Sequence, residues 1–172
     1  SSLRENLPDY AKDVKLNLSS VLTEEGAPGL TEKQIWGTAL ACTYSTKDPA
    51  FIAEIQDEAL KFVGDAEKFA AKAAASIMAM NNIYYRTVHF LDHDDYNQLP
   101  AKLRMTIMAK SGIEKRDFEL YAFAISAINA CSGCVRAHEK TLRAEDFSSQ
   151  AVQSAMRIAA VISSAHQAYV IR

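Results

Sequence analysis

The chain has 172 residues, 49% of them hydrophobic, with 19 Lys and Arg against 21 Asp and Glu for a formal charge of −2, so it can bury one substantial core in a single domain. A pI of about 6.1 without basic clusters argues against nucleic acid or an anionic membrane surface as partner. The longest apolar runs, Tyr121–Ala130 and Phe69–Met80, fall short of the roughly 20 residues a bilayer span needs, and Ser1-Ser2-Leu3-Arg4-Glu5-Asn6 carries no secretory pattern, so a soluble, cytoplasmic protein is expected.

Almost every segment reads as helix, because apolar residues recur at spacings of three and four. Tyr10, Val14 and Leu18 line one face of a first helix that Pro8 opens. Thr31 and Gln34 have capping-box spacing and start a helix that runs to about Thr46. Asp48-Pro49 starts the next, and Asp65 caps a long alanine-rich helix through Met80 and toward Tyr85. His89–Pro100, rich in Asp, Asn and His, reads as a loop, and Ser111-Gly112 ends the helix that follows it. The remaining helices are expected over about Lys115–Ala130, Ser132–Arg143 and Ser148–Tyr169. The alanine-rich stretches belong inside the bundle, and the stripe Ile77, Met80 and Tyr84 reads as core or subunit interface. The expected fold class is therefore an all-α bundle.

A comparison of the chain with itself at an offset of 85 residues aligns its halves without a gap: Ala39 falls on Ala124, Glu54 on Glu139, Phe62 on Phe147, Trp36 on Tyr121 and Gln34 on Glu119. Chance agreement between two alanine-rich stretches accounts for this as readily as an internal duplication. Under duplication, Thr46, Pro49 and Ala53 take the places of Cys131, Cys134 and His138, leaving the chemistry to the second half, about residues 115–172.

Three cysteines are too few and too odd in number for the disulfide framework of a small secreted domain. Cys42, alone in an apolar helix, reads as an inert small hydrophobe. Cys131-Ser132-Gly133-Cys134 is different, since a close pair in a cytosolic chain points to redox or metal chemistry. Placed where a helix begins, the pair has unpaired amides and the helix dipole to favour a thiolate. Cys131 is expected to be the more exposed sulfur and Cys134, one turn in, the deeper one. His138, four residues past Cys134, shares its helix face and can accept the thiol proton. Glu119 reaches the site only if the helices before and after the pair form a hairpin, where a buried carboxylate can take a proton or orient the histidine.

The competing reading is a zinc-binding structural module using Cys131, Cys134 and His138, with His89, His93 or His166 as a fourth ligand; the spacing is short for such a site. Otherwise His89 and His93 read as solvent-facing loop residues and His166 as a hydrogen-bonded core residue. Arg136 and Arg143 lie near the pair and could steer an acidic partner, although Arg143 fits better as a solvated helix residue.

Glu119, eleven residues, Cys131-x-x-Cys134, three residues, His138 resembles the signature of the alkylhydroperoxidase D (AhpD) group within the carboxymuconolactone decarboxylase-like superfamily. Asn17-Leu18-Ser19-Ser20, Gln34-x-Trp36-Gly37-Thr38, Met80-Asn81-Asn82-x-x-Tyr85-Arg86, Ser126-Ala127-Ile128-Asn129 and Ala137-His138-Glu139-x-Thr141-Leu142-Arg143 extend the resemblance over most of the chain. It implies an all-helical protein, commonly a homotrimer, without metal or flavin. Such a protein passes electrons from dihydrolipoamide, as on a lipoylated dehydrogenase-complex component, to the peroxiredoxin AhpC, and reduces organic hydroperoxides weakly itself. By position, the resemblance makes Cys134 the peroxide-reactive thiol, Cys131 the resolving and partner-exchanging thiol, and Glu119 and His138 the proton relay. Lactone-processing members of the superfamily generally lack the cysteine pair. One departure matters: well-known members carry histidine between the cysteines, where this chain has Gly133. The expectation is weak direct peroxide turnover with disulfide exchange intact, because exchange needs only an accessible dithiol of suitable pKa.

Overall fold

The computed structural model describes residues 2–172. Nine α-helices and two 3₁₀ turns make up its regular structure, and no strand occurs among the described residues. The helices are α1 (Ser2–Asn6), α2 (Lys12–Val21), α3 (Glu32–Tyr44), α4 (Pro49–Ala59), α5 (Asp65–Leu91), α6 (Asp94–Gln98), α7 (Lys115–Ile128), α8 (Ser132–Ala144) and α9 (Ser149–Ile171). None is long and apolar enough to cross a membrane.

Two helices are apolar all round and form the centre. Every residue from Ile35 to Thr43 in α3 and from Phe118 to Ser126 in α7 is buried, as expected of helices with neighbours on every side. α5 and α9 pack on both, while α8 packs on α7 and α5. Small residues permit the closest approaches. A Cβ on Gly37 would stand 2.0 Å from the Tyr121 hydroxyl oxygen, so glycine there lets α3 lie against α7. Gln34 Nε2 donates to Asp117 Oδ1 at 2.8 Å across the same pair. The alanine faces of α5 (Ala70, Ala71, Ala74) and α9 (Ala151, Ala155, Ala159, Ala165) are buried, as their composition suggested.

Local signals place most of the ends. The Thr31 hydroxyl accepts from the Gln34 amide while the Gln34 side chain accepts from the Thr31 amide, a complete capping box. Asp48 Oδ1 accepts from the amides of Ala50 and Phe51, with Pro49 as the first helical residue. Four expectations are corrected. α2 begins at Lys12, after a 3₁₀ turn over Asp9–Ala11 that follows Pro8, and Tyr10 is exposed rather than on the buried face. α5 is capped by Gly64, whose amide donates to the Glu67 carboxylate, so Asp65 is already helical. The same helix runs on to Leu91 and takes His89 with it; the rest of the expected loop holds α6, whose amide at Asp95 donates to His93 Nδ1. Between residues 101 and 110 there is only a 3₁₀ turn, Thr106–Ala109.

The runs α3–α4–α5 and α7–α8–α9 start at Glu32, Pro49 and Asp65 and at Lys115, Ser132 and Ser149, so corresponding helices begin 83 or 84 residues apart.

Candidate active site

The α7–α8 connection is three residues long and sharply bent. Asn129 closes α7, Ala130 turns through the left-handed region (φ 55°), and Cys131 is the extended N-cap of α8. Cys131 and Cys134 are joined by a disulfide. Cys131 Sγ also accepts from the Cys134 amide at 3.3 Å, in the manner of a capping oxygen. That fold-back reverses the expected order of exposure: Cys131 is fully buried, whereas Cys134 retains 7% of its surface. Here the capping sulfur lies beneath the turn, and the sulfur-bearing residue one turn later is the one that keeps some exposed surface.

The short connection makes α7 and α8 a packed hairpin, which brings Glu119 back to the turn. Its Oε2 lies 2.6 Å from His138 Nδ1, and both side chains are about nine-tenths buried. In the tautomer whose Nδ1–H donates to this carboxylate, His138 Nε2 is left as the ring's free acceptor. All four residues singled out in the sequence are thus brought into one hairpin.

A cavity of about 390 Å³ opens on the reactive side of α8. Gly133, Cys134, Ala137 and His138 form its α8 wall, and Asn81, Tyr85, Val88 and His89 of α5 form another. Met105 and Met108, from the segment expected to be helical, cover it with apolar surface, and Asn97 of α6 completes the lining. Asn81 Nδ2 lies 3.1 Å from Met105 Sδ, and Asn81 Oδ1 is buried with no hydrogen-bond partner. A side chain at position 133 would meet nothing within 4 Å of its Cβ, so Gly133 keeps this mouth open without being sterically required. The lining residues from Asn81 to Met108 lie 26 to 53 positions before Cys134, and no local spacing links them to it. Met80–Arg86, through the family resemblance, and His89, as a possible fourth zinc ligand, are the sequence features that pointed to that region.

Behind the turn, polar side chains brace its position. Asn82 Nδ2 donates to Ser126 Oγ at 2.9 Å, Asn129 Nδ2 donates to Asn82 Oδ1 at 3.0 Å, and Arg86 Nη1 donates to the Asn129 carbonyl at 2.5 Å. α5 thereby holds the end of α7 that sets the start of α8.

The zinc set does not assemble. Each cysteine sulfur is bonded to the other, His138 is engaged by Glu119, His93 caps α6, and His166 Nε2 pairs with Asp48 Oδ2 at 3.1 Å beside the Phe51 ring. Among the described residues no three His, Cys, Asp or Glu side chains are grouped to hold a metal. Cys42 is fully buried, and loss of solvation pushes its thiol pKa up to about 12, which suits an inert packing residue. Arg136 is exposed, and Arg143 makes only a 3.9 Å surface contact with Glu139.

The chain was compared with known proteins. A family model described as the carboxymuconolactone decarboxylase family matches residues 94–169. A protein named alkyl hydroperoxide reductase AhpD from Coxiella burnetii (strain Dugway 5J108-111) is 49% identical over 168 residues, 98% of this chain and 95% of its own length. The chain belongs to the AhpD family. Proteins of the same name from Rhodopseudomonas palustris (47% identical; 95% of this chain, 88% of the relative) and Azorhizobium caulinodans (46%; 95% and 89%) agree along nearly the whole length. The AhpD membership therefore covers both the half with the thiols and the half with the α5 wall of the cavity.

Proposed function

We propose that this AhpD-family chain is a thiol–disulfide oxidoreductase of antioxidant defence that reduces organic hydroperoxides weakly and passes electrons from dihydrolipoamide to the peroxiredoxin AhpC. The observation that carries this reading is Cys134, disulfide-bonded to a covered Cys131, at the wall of an apolar-lidded cavity beside the Glu119–His138 pair. In the dithiol state His138 Nε2 takes the Cys134 proton. The thiolate attacks the terminal peroxide oxygen, the O–O bond breaks, and Cys134 becomes a sulfenic acid as the alcohol departs. Cys131 then attacks that sulfur, forming the disulfide and releasing water.

Regeneration proceeds at the accessible sulfur. An incoming dithiol thiolate attacks Cys134 and Cys131 leaves, its developing charge met by the Cys134 amide at the α8 N-terminus. Exposure therefore favours mixed disulfides with the dithiol, whether free or on a lipoylated dehydrogenase-complex component, at Cys134, with Cys131 as resolving thiol. The same geometry serves transfer to AhpC. The reading extends to a cytoplasmic homotrimer of single-domain subunits built by internal duplication. Exposed Ile83, Phe90, Leu91, Tyr96 and Leu99 along the end of α5 and around α6 support a subunit contact there.

The test is a free-thiol count on oxidised protein before and after dihydrolipoamide, with Cys131→Ser and Cys134→Ser alongside. Two thiols released per parent chain and none in either variant is the expected result. A parent whose thiols are already free and resist oxidation overturns the reading.

A further inference from the structure

Peroxide reduction moves protons at two places. The thiol must lose one, and the oxygen that leaves must gain one, because an alkoxide is a poor leaving group. Displacement at oxygen is in line: sulfur enters on one side and the leaving oxygen departs on the opposite side. Sulfur enters here from α8, where His138 also sits, held at Nδ1 by Glu119. The departing oxygen is therefore directed toward the other walls.

Only four side chains that line this cavity can ionise: Tyr85, His89, Cys134 and His138. Imidazole is the side chain most often used as a general acid or base, and besides His138 the only imidazole lining this cavity is that of His89. It stands on the α5 wall, in the last turn of that helix. His89 is exposed at the mouth, so solvent can reprotonate it. Among the described residues its ring has no hydrogen-bond or ion-pair partner, in contrast to His93, His138 and His166.

We propose that His89 is a catalytic general acid for the peroxide step, giving its proton to the leaving alkoxide while His138 holds the proton taken from Cys134. The proposal rests on the peroxidase reading above. The S–O bond forms as the O–O bond breaks. Cys134 supplies the electron pair and becomes the sulfenic acid, His89 becomes neutral as the alcohol leaves, and the proton on His138 returns to His89 through solvent. Closure of the disulfide then releases water, so two thiols and one hydroperoxide give one disulfide, one alcohol and one water.

The experiment mixes fully reduced protein with a single oxidant and follows thiol loss over one turnover, in the parent, in His89→Gln and in Cys134→Ser. Two oxidants are compared: tert-butyl hydroperoxide, whose leaving alkoxide needs a proton, and peracetic acid, whose leaving acetate does not. His89→Gln is expected to slow the reaction with tert-butyl hydroperoxide by about tenfold or more and the reaction with peracetic acid by much less. An equal slowing with both oxidants, or none with either, overturns the role of His89 while leaving the thiol chemistry standing. A parent no faster than Cys134→Ser with both oxidants overturns the peroxidase reading and the proposal together.

Discussion

Replacing Glu119 by glutamine tests whether the buried pair works as one unit. Glutamine has nearly the same shape and its amide oxygen can still accept from His138 Nδ1, so the 2.6 Å contact between two side chains about nine-tenths buried is kept while its charge is lost. A hydrogen bond to a charged group contributes about 1.5–3 kcal/mol and a neutral one about 0.5–1.5, so the imidazolium formed on His138 loses about 1–2 kcal/mol of support. That corresponds to about 5- to 30-fold in the rate of thiol loss with hydroperoxide. The assay is stopped-flow single-turnover oxidation of Glu119→Gln, His138→Ala and the double variant. If Glu119 acts only through His138, the double variant is no slower than His138→Ala. Losses that multiply in the double variant, or a Glu119→Gln protein as fast as the parent, would refute the relay.

Gly133→His should raise single-turnover peroxide reduction by about tenfold or more with little change in thermal midpoint, since nothing stands within 4 Å of the new Cβ; equal rates would show that the missing imidazole does not limit this chain. Gly37→Ala should lower stability by about 1–3 kcal/mol in urea unfolding, because its Cβ meets the Tyr121 ring hydroxyl at 2.0 Å; an unchanged midpoint would mean that α3 and α7 are not packed as described. Asp48 offers a pH test. The Phe51 amide foremost, with His166 and the Ala50 amide, holds its carboxyl below the usual carboxylate range despite some opposing desolvation. A depressed folded-state pKa stabilises the fold above the ordinary aspartate range, and that contribution fades as pH falls through the folded value. The stability gap between parent and Asp48→Asn should thus close in acid below about pH 4. A gap that persists at pH 2 would be inconsistent with this assignment.

The α7–α8 hairpin was legible because Glu119, Cys131, Cys134 and His138 fall within twenty residues, where helix periodicity and one short turn determine what meets what. Caps at Thr31 and Asp48 were legible for a similar reason, since each signal and its partner lie within three residues. The end of α5 was not. Arg86 to Leu91 carry no stop signal of their own, and the polar run after them suggested an earlier break than the left-handed Asp92 at which the helix closes. Leu103, Met105 and Met108 showed apolar spacing that suited a helix, yet Met105 and Met108 cover a cavity in mostly irregular chain, a role that no local pattern distinguishes. The depth of Cys131 was not legible, because a place at the start of a helix does not fix a place in the molecule. Its sulfur acts as a cap, and capping turns a side chain toward its own backbone.

The isolation of Cys42 bears on how the chain handles electrons. With that sulfur sealed in the core and its thiol pKa pushed up to about 12, the proposed exchange is confined to the disulfide pair at the α8 start, reached from solution through Cys134. Under the proposed function the molecule is then charged or discharged two electrons at a time. Once discharged it offers no spare thiol through which two copies could become covalently cross-linked.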